Sequence, residues 1–577
     1  MRRLSIACRV NIFLVQNIYV SENVRACVHH FDEEGLLPRL LLAGLRSINR
    51  PYVIKGPQLQ IFLQQLRNVA NNQNKFENET SFSEDEFKSI SPINKDQFLE
   101  LFRYCDRVPC TGGYRYIQIK DLLTFLCKLR QELSDDFLRI TFGYSTRQAV
   151  SLAIATVRKS LFHRFVPENV GFQAITRAMF IENHVTEFSN KLYNLQPETP
   201  QVIVAIDATY GYMHKSKNFR ILRQSFSLHK HRHSIKPTVI VAPDGYILAG
   251  LEPYFSDHYN NDAAILQREF ERDAGIMRQW FRNGDIFLVD RGFRDVVPWL
   301  EKMGINCWMP AILERGQHQF TTEDVNMTRK ITKNRWVVEA RNGHFRSLFK
   351  FFSETIIMPH IRHLHDFYLI AAAIINKYHP PLIMEQASAE AASEMIERSL
   401  MPNVIQARVE VDNLRLRRGQ WMRLNDNVVP DFPILTLDYL RHLTIGVYQV
   451  NLAPSYIQDT FEREGVGELQ IDQALAEPGF IRLRVYSRFR RAMKHQVFIA
   501  YVSENISEDE EPISGYYCTC QSGARTLGTC AHVASIVWYL SYARHQPNVK
   551  YPDNSLLNAI RDTNNAFEGN EDEDLEN

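Results

Sequence analysis

No stretch of 18 uncharged apolar residues occurs in this 577-residue sequence, so no membrane-spanning helix is expected. The opening MRRLSIACRVNIFLVQNIYV resembles a leader only faintly. Arg9, Asn11, Gln16 and Asn17 interrupt its apolar run, and a signal peptide is not expected. Net charge is almost absent: 67 Lys and Arg against 66 Asp and Glu leave +1. The sum therefore announces no polyanionic partner, and the distribution of charge has to be read instead. Cysteine is sparse, nine in all. An odd count without a secretion signal points to a reducing compartment, where clustered cysteines serve metal or packing. No internal repeat is found. What is present is length for several domains, and enough apolar (45%) and aromatic (11%) content to build cores.

Residues 1–50 form a short Cys/His-containing head. Residues 68–87, Asn-rich and acidic, read as a linker. Residues 93–185 read as helical. Leu122, Leu123, Leu126 and Leu129 recur at helix spacing. The following DDFLRITFGYSTRQAVSLAIATVRKSL predicts a short helix, a turn at Gly143–Tyr144, an N-cap at Ser145 or Thr146 and a second helix, the plan of a helix-turn-helix. From 201 the period changes. VIVAI, TVIVA (238–242), GYILAGL (245–251) and DIFLV (285–289) are strand-like, with helix-like stretches at 262–281 and 294–303. Buried strands alternating with amphipathic helices imply an α/β layer structure, with 361–378 as its closing helix. Residues 382–434 have no clear pattern. Residues 435–545 form a last domain with strands and a Cys/His cluster, and 546–577 is an acidic tail expected to be disordered.

Three acids stand out. Asp207 and Asp290 each follow an apolar β-branched run and are expected at the carboxyl ends of strands. Glu339 is expected in the first turns of a helix made by RWVVEARNGHFRSLFKFF. Asp290 lies 83 residues after Asp207, and Glu339 a further 49 on. Singly, an Asp after a strand often begins a turn and a helical Glu is usually solvated. Brought together, bare carboxylates repel. Two Mg²⁺ ions about 3.5–4 Å apart would relieve that, one activating water or a 3′-hydroxyl and one stabilising the leaving oxygen.

Between Ala208 and Pro243 there is no acid. Seven Lys and Arg are there instead, Lys215, Lys217, Arg220, Arg223, Lys230, Arg232 and Lys236, with His214, His229, His231 and His233 and interleaved aromatics. Directly after a catalytic-type acid, this is the counter-charge a DNA backbone needs; the alternative is a solvated hairpin face. HKHRH is expected to alternate along a strand without completing a zinc site. Arg415, Arg417, Arg418 and Arg423, and Arg482, Arg484, Arg488, Arg490 and Arg491, are candidates to extend a basic track.

In YYCTCQSGARTLGTCAHVASIVWYL, Cys518, Cys520, Cys530 and His532 form Cys-x-Cys, nine residues, Cys-x-His. Three thiolates and an imidazole suit a closed, tetrahedral, structural Zn²⁺ site. In the head, Cys27, His29 and His30 lack an upstream Cys pair, with only Cys8 nearby, so no zinc is expected there. Cys105, Cys110, Cys127 and Cys307 read as packing residues.

The segments IDATYGYMHKS, SFSLHKHRHSIKPTVIVAPDGYI, YNNDAAIL, VDRGF and TRKITKNRWVVEARNGHF together resemble the DDE endonuclease domain of Harbinger-type and related eukaryotic transposases, over about 200–380. The resemblance implies an α/β, ribonuclease H-like catalytic domain. It places the catalytic, metal-holding acids at Asp207, Asp290 and Glu339, with Mg²⁺ or Mn²⁺ as the ion. Asp262 falls on a further recurring aspartate, and Ala208 stands where that family usually has Gly. The helical region resembles the helix-turn-helix that precedes such domains, where Thr146, Arg147 and Gln148 would reach base edges or phosphates. The Cys/His segment resembles a SWIM-type zinc finger, and the head resembles the second half of a Cys/His finger, so that either the chain begins inside the finger or the finger has decayed. The implied activity is a nuclear DNA endonuclease and strand transferase. Its DNA contacts would be Lys215, Lys217, Arg220, Lys230, Arg232, Lys236 and Arg147. Double-stranded DNA is the partner, with no membrane and with homo-oligomerisation left open. The alternative is a domesticated nuclear DNA-binding or adaptor protein without transposition; a nuclease unrelated to transposition shares the same metal chemistry.

Overall fold

The structure is a computed structural model. It describes residues 1–551 apart from 22, 32–35, 39–40, 43, 47–53, 73–75, 77–78, 111–112, 273–275, 383, 385–386, 417–419, 426–428, 430, 465–468, 489, 491, 503–510, 548 and 550. Arg417, Arg418, Arg491 and the acidic tail from 552 onward lie outside the described residues. The chain forms two compact units, Met1–Ser160 and Leu161–Asn577.

In the first unit the stretch expected as a linker is largely bounded by helices. Gly56–Asn72 enters it, and Glu84–Ile90 closes it, started by a capping box in which Ser83 and Glu86 satisfy each other's backbone N–H groups. Helices Lys95–Phe102 and Ile119–Gln131 bury Phe98, Leu101, Leu122, Phe125 and Leu126. Between them lies a two-stranded ribbon, Val108–Cys110 with Gly113–Arg115, inside the region read as helical. Helices Asp135–Thr141 and Arg147–Arg164 follow, joined through Gly143 at φ +65°, the second running past the end of the unit at Ser160. Thr146 Oγ1 accepts from Ala149 N at 3.2 Å, which makes Thr146 the cap.

In the second unit a five-stranded sheet runs Ile247–Gly250, Thr238–Val241, Ile203–Ala208, Ile286–Leu288, Asn306–Trp308. Thr238–Val241 is antiparallel to both its neighbours, Ile247–Gly250 and Ile203–Ala208; the last two strands continue parallel to Ile203–Ala208. The central strand reads IVAIDA, and its first four residues are buried, the continuous apolar run expected of a strand covered on both faces. Side chains alternate: Val202, Val204 and Ile206 join a core with Phe270, Phe287 and Val289. Ile203, Ala205 and Asp207 therefore face the other way, toward a 27-residue helix, Thr322–Leu348. The closing helix, Leu364–Tyr378, buries Ile370, Ala371 and Ile374.

A second five-stranded sheet, antiparallel throughout, runs Trp421–Asn425, Gln470–Ala474, Phe480–Tyr486, Lys494–Ala500, Gly515–Cys518. Its edge strand comes from the stretch that had no clear pattern in sequence. Helices Tyr448–Glu464 and Ala531–Ser541 cover one face, and Ile405, Val409 and Leu414 pack on the other with Phe480 and Phe498.

Candidate active site

Asp207 is carried by the last turns of the central strand's pleat. The parallel register pairs Ala205 with Leu288, and two residues further along the same face brings Asp290 level with Asp207. Asp290 caps the short 3₁₀ turn Arg291–Phe293, its Oδ1 accepting from Gly292 N at 2.8 Å. A Cβ on Gly292 would stand 2.7 Å from Asp262 Oδ2 and 3.0 Å from Asp290 Oδ1, so glycine is what lets these two carboxylates approach. Lys236 Nζ donates to Asp262 Oδ1 at 2.8 Å.

The sequence placed Glu339 in the first turns of its helix. The structure corrects this: the helix begins at Thr322, and Glu339 lies well inside it. Its N-cap is Thr321, whose Oγ1 accepts from Asp324 N. With 3.6 residues per turn, Arg335, Glu339, Asn342 and Arg346 fall on one face. Asn342 Nδ2 donates to Asp207 Oδ2 at 2.9 Å. Arg335 donates to Asp207 Oδ1 at 3.4 Å and to Glu339 Oε1 at 2.5 Å. Arg346 donates to Thr209 Oγ1 at 2.7 Å. None of these three partners had been singled out in the sequence; the spacing i, i+4, i+7, i+11 about Glu339 was the available signal.

Asp207 titrates well above the usual carboxylate range, at about 6. Burial is the main cause; Arg335 opposes it, and Asp290, Glu339 and Asp262 raise it further. Four carboxylates thus share one field. The fit to hard divalent cations rests on that field, on an all-oxygen donor set, and on Asn342 Oδ1, which is buried with no hydrogen-bond partner. Asp207 and Glu339 are nonetheless bridged by the Arg335 guanidinium. Among the described residues, the one group of three or more candidate metal ligands whose donor atoms all lie within 4.8 Å of one another is elsewhere, at Cys518, Cys520, Cys530 and His532.

Residues 206–376 match the family model of the DDE superfamily endonuclease. The endonuclease match begins beside Asp207 and ends in the closing helix, so all three acids, Asp262 and the acid-poor block lie inside it. No curated protein and no solved structure matches the chain.

The basic block inside the matched segment folds as a helix, Phe219–Ser225, and a hairpin of Phe226–Ser227 with Arg232–Lys236. HKHRH does not alternate along one strand as expected: His229, Lys230 and His231 form the hairpin turn, His231 at φ +51°. Lys215, Lys217, Arg220, Lys230 and Arg232 are exposed. Lys230 lies over the Tyr210 ring and Arg232 over Tyr212. Lys236 differs from its expected role. It is buried and paired with Asp262, so its charge serves the acids and not the solvent face. Two members of the expected basic track are likewise committed: Arg423 to Asp472, and buried Arg482 to Asp472 and Leu414 O. In the first unit Arg147 is exposed, 3.9 Å from Asp136.

Cys518 ends its strand, Cys520 follows in a turn, and Cys530 caps the helix that carries His532. All four are buried. His532 Nδ1 is 3.8 Å from Cys518 Sγ and 3.9 Å from Cys530 Sγ, separations of the order that ligands of one tetrahedral ion require. The Cys530 thiol is held well below its usual range, chiefly by hydrogen bonds from Cys518 and Cys520, while burial pushes Cys518 up. Thiolate formation at one of three adjoining sulfurs and three soft donors with one imidazole fit Zn²⁺. Cys8 is buried and Cys27 exposed in the head.

Proposed function

We propose that residues 200–380 form a transposase-type DNA endonuclease and strand transferase domain in which Asp207, Asp290 and Glu339 hold catalytic Mg²⁺ or Mn²⁺. The observation that carries this reading is geometric: Asp207 and Asp290 stand at the carboxyl ends of neighbouring parallel strands in register, and the Glu339 helix reaches Asp207 through Asn342 and Arg335. The strand order, with the first three strands antiparallel and the next two parallel, supports a ribonuclease H-like fold of the Harbinger-type relatives. Bound divalent ions would supply Lewis acidity and an activated water or 3′-hydroxyl. The chain's own groups do the rest. Asn342 fixes the Asp207 carboxylate, Gly292 admits Asp262 beside Asp290, and Lys236 neutralises Asp262. Arg335 has to turn away from Asp207 and Glu339 for a cation to take its place, and its guanidinium is then free for a phosphate. Exposed Lys215, Lys217, Arg220, Lys230 and Arg232 would track the DNA backbone. We further read Asp135–Arg164 as a helix-turn-helix, with Arg147 near phosphates, the Cys/His segment as a SWIM-type zinc site, and the chain as nuclear.

The test is purified full-length protein with labelled duplex DNA and Mg²⁺, beside Asp207→Ala and Asp290→Ala. Nicking by the wild type should fall by at least about 10³-fold in both variants, and Mn²⁺ binding followed by electron paramagnetic resonance should weaken with it. Equal nicking by all three removes the reading. DNA bound but uncut by any of them favours a domesticated binding protein. Metal analysis should give about one Zn²⁺ per chain, lost in Cys518→Ser.

A further inference from the structure

Much of the backbone of the loop between the paired candidate ligands is bonded by the helix that carries Glu339 and by the residues just ahead of it. Gln319, just ahead of that helix, donates Nε2 to the Cys518 and Cys520 carbonyls, 2.7 Å each, and its Oε1 accepts from Tyr517 Oη at 2.8 Å. Phe320 N donates to Gln521 O at 3.0 Å, and Thr322 Oγ1 to Ala524 O at 3.1 Å. Asn326 is only 1% exposed and uses both ends of its amide. Its Oδ1 accepts from Thr526 N and Leu527 N, each at 3.0 Å, and its Nδ2 donates to Thr526 Oγ1 at 2.7 Å and to Ser399 O at 3.0 Å.

Most of the groups bound on the loop side are backbone N–H and C=O. The helix therefore depends on the path of the loop more than on its side chains. That path is tight: a Cβ on Gly523 would come within 2.0 Å of Cys518 O, and Cys518 N and Gly523 O close the turn at 3.1 Å. It is also anchored at both ends by the four candidate zinc ligands. At 1.5 Å per residue, Asn326 lies roughly 20 Å from Glu339 along the helix axis. Beyond Glu339 the helix is tied to the sheet side by buried Arg341, which donates to Gly245 O at 2.7 Å and Pro380 O at 3.0 Å. Arg335 and Glu339 sit between these two anchorages, and two anchorages are what set the direction of a rigid rod.

We propose that the Cys/His loop is an internal seat for the Glu339 helix, and that Asn326 is the positioning residue through which the cluster holds Glu339 against Asp207 and Asp290. The functional consequence rests on the endonuclease reading; the coupling of loop to helix does not. In this arrangement much of the backbone of the loop is spent on its own chain and is closed to nucleic acid.

The experiment uses the full chain, as wild type and Asn326→Ala, each with zinc retained or stripped by a chelator. Amide hydrogen exchange is read by mass spectrometry over 326–342 and over 202–208. Asn326→Ala should speed exchange across 326–342 by at least about ten-fold, with zinc content and the 202–208 segment unchanged, and stripping zinc from the wild type should do the same. Mn²⁺ Kd should rise about three-fold or more in Asn326→Ala, while duplex DNA Kd stays within about two-fold. Unchanged exchange over 326–342 in Asn326→Ala overturns the proposal, as does weakened DNA binding with exchange unaltered. Where stripping zinc unfolds the chain, so that 202–208 also exchanges, Asn326→Ala decides by the same criteria. A wild type that neither binds Mn²⁺ nor cuts DNA ends the endonuclease reading, and the exchange result still judges the seat.

Discussion

Asn342 donates its side-chain amide to Asp207 from the helix that carries Glu339, so the two acids are linked through one helix face. The bond favours the ionised, metal-ready form of Asp207 and fixes its rotamer. Asn342→Ala should lower the cleavage rate about 10–100-fold without changing the far-ultraviolet circular dichroism. It should also move the acidic limb of the pH–rate profile upward, because a donor that supports the charged form is gone. A limb that stays put, or moves down, would show that the amide does not support the charge.

Asp207 gives a pH dependence of stability with a definite sign. Its folded value of about 6 lies above the ordinary 3.8. Between those values the folded state binds more protons than the unfolded one, so stability falls as pH rises and the penalty is complete above about 6. Metal-free Asp207→Asn should therefore be more stable than wild type at pH 7.5, by an amount on the order of 1–3 kcal/mol, and nearly equal to it at pH 4. Denaturant melts at the two pH values measure this. A variant less stable at pH 7.5 would mean that Arg335 outweighs burial at this carboxylate. The same variant should lose Mn²⁺ binding, the usual conflict between stability and function at a site of crowded acids.

Much of this site was legible because a strand run ending in Asp has few places to go. VIVAI and IFLV are long enough to be central strands, and their alternation sends Asp207 and Asp290 to one face. The Cys-x-Cys and Cys-x-His pairs were legible because the ligand spacing is itself the signal. Glu339 was harder. The helix Thr322–Leu348 is buried on several sides, so its polar positions, Asn326, Asn334 and Asn342, blur the apolar period and hide where it starts. Arg335 was not legible as a partner because a single sequence does not reveal which of several helical arginines faces inward. The docking of residues 319–326 on 518–527 joins segments about 200 residues apart, and no local pattern encodes such a pairing.

Arg335 is the cation the chain itself supplies between Asp207 and Glu339, with its side chain only 14% exposed. On the proposed reading it competes with a divalent ion for the same oxygens. Arg335→Ala should therefore tighten Mn²⁺ binding about three- to ten-fold and lower the thermal midpoint of the metal-free protein, because two carboxylates lose their partner. Calorimetric titration and thermal melts with and without Mn²⁺ separate these effects. Weaker Mn²⁺ binding in the variant would show that the guanidinium organises the acids for the ion and does not compete with it.

Salt dependence distinguishes the exposed basic residues from the buried one. Each phosphate contact contributes a slope of about −0.9 to log K against log salt concentration. Lys215, Lys217, Arg220, Lys230 and Arg232 are exposed, so neutralising any true contact among them should make the slope shallower by about 0.9. Lys236 is spent on Asp262 at 2.8 Å. Lys236→Gln should leave the slope within about 0.3 of wild type, while removing the positive charge beside Asp262 and Asp290. With that neighbour gone, more carboxylate charge faces the metal site, and the Mn²⁺ Kd should shift while DNA affinity does not. Filter-binding or fluorescence titrations of a catalytically silent Asp207→Ala background, run from low to high salt, read the slope directly. A slope that falls in Lys236→Gln as much as in Lys230→Gln would place Lys236 on the DNA side of the pocket and break the assignment of its charge to the acids.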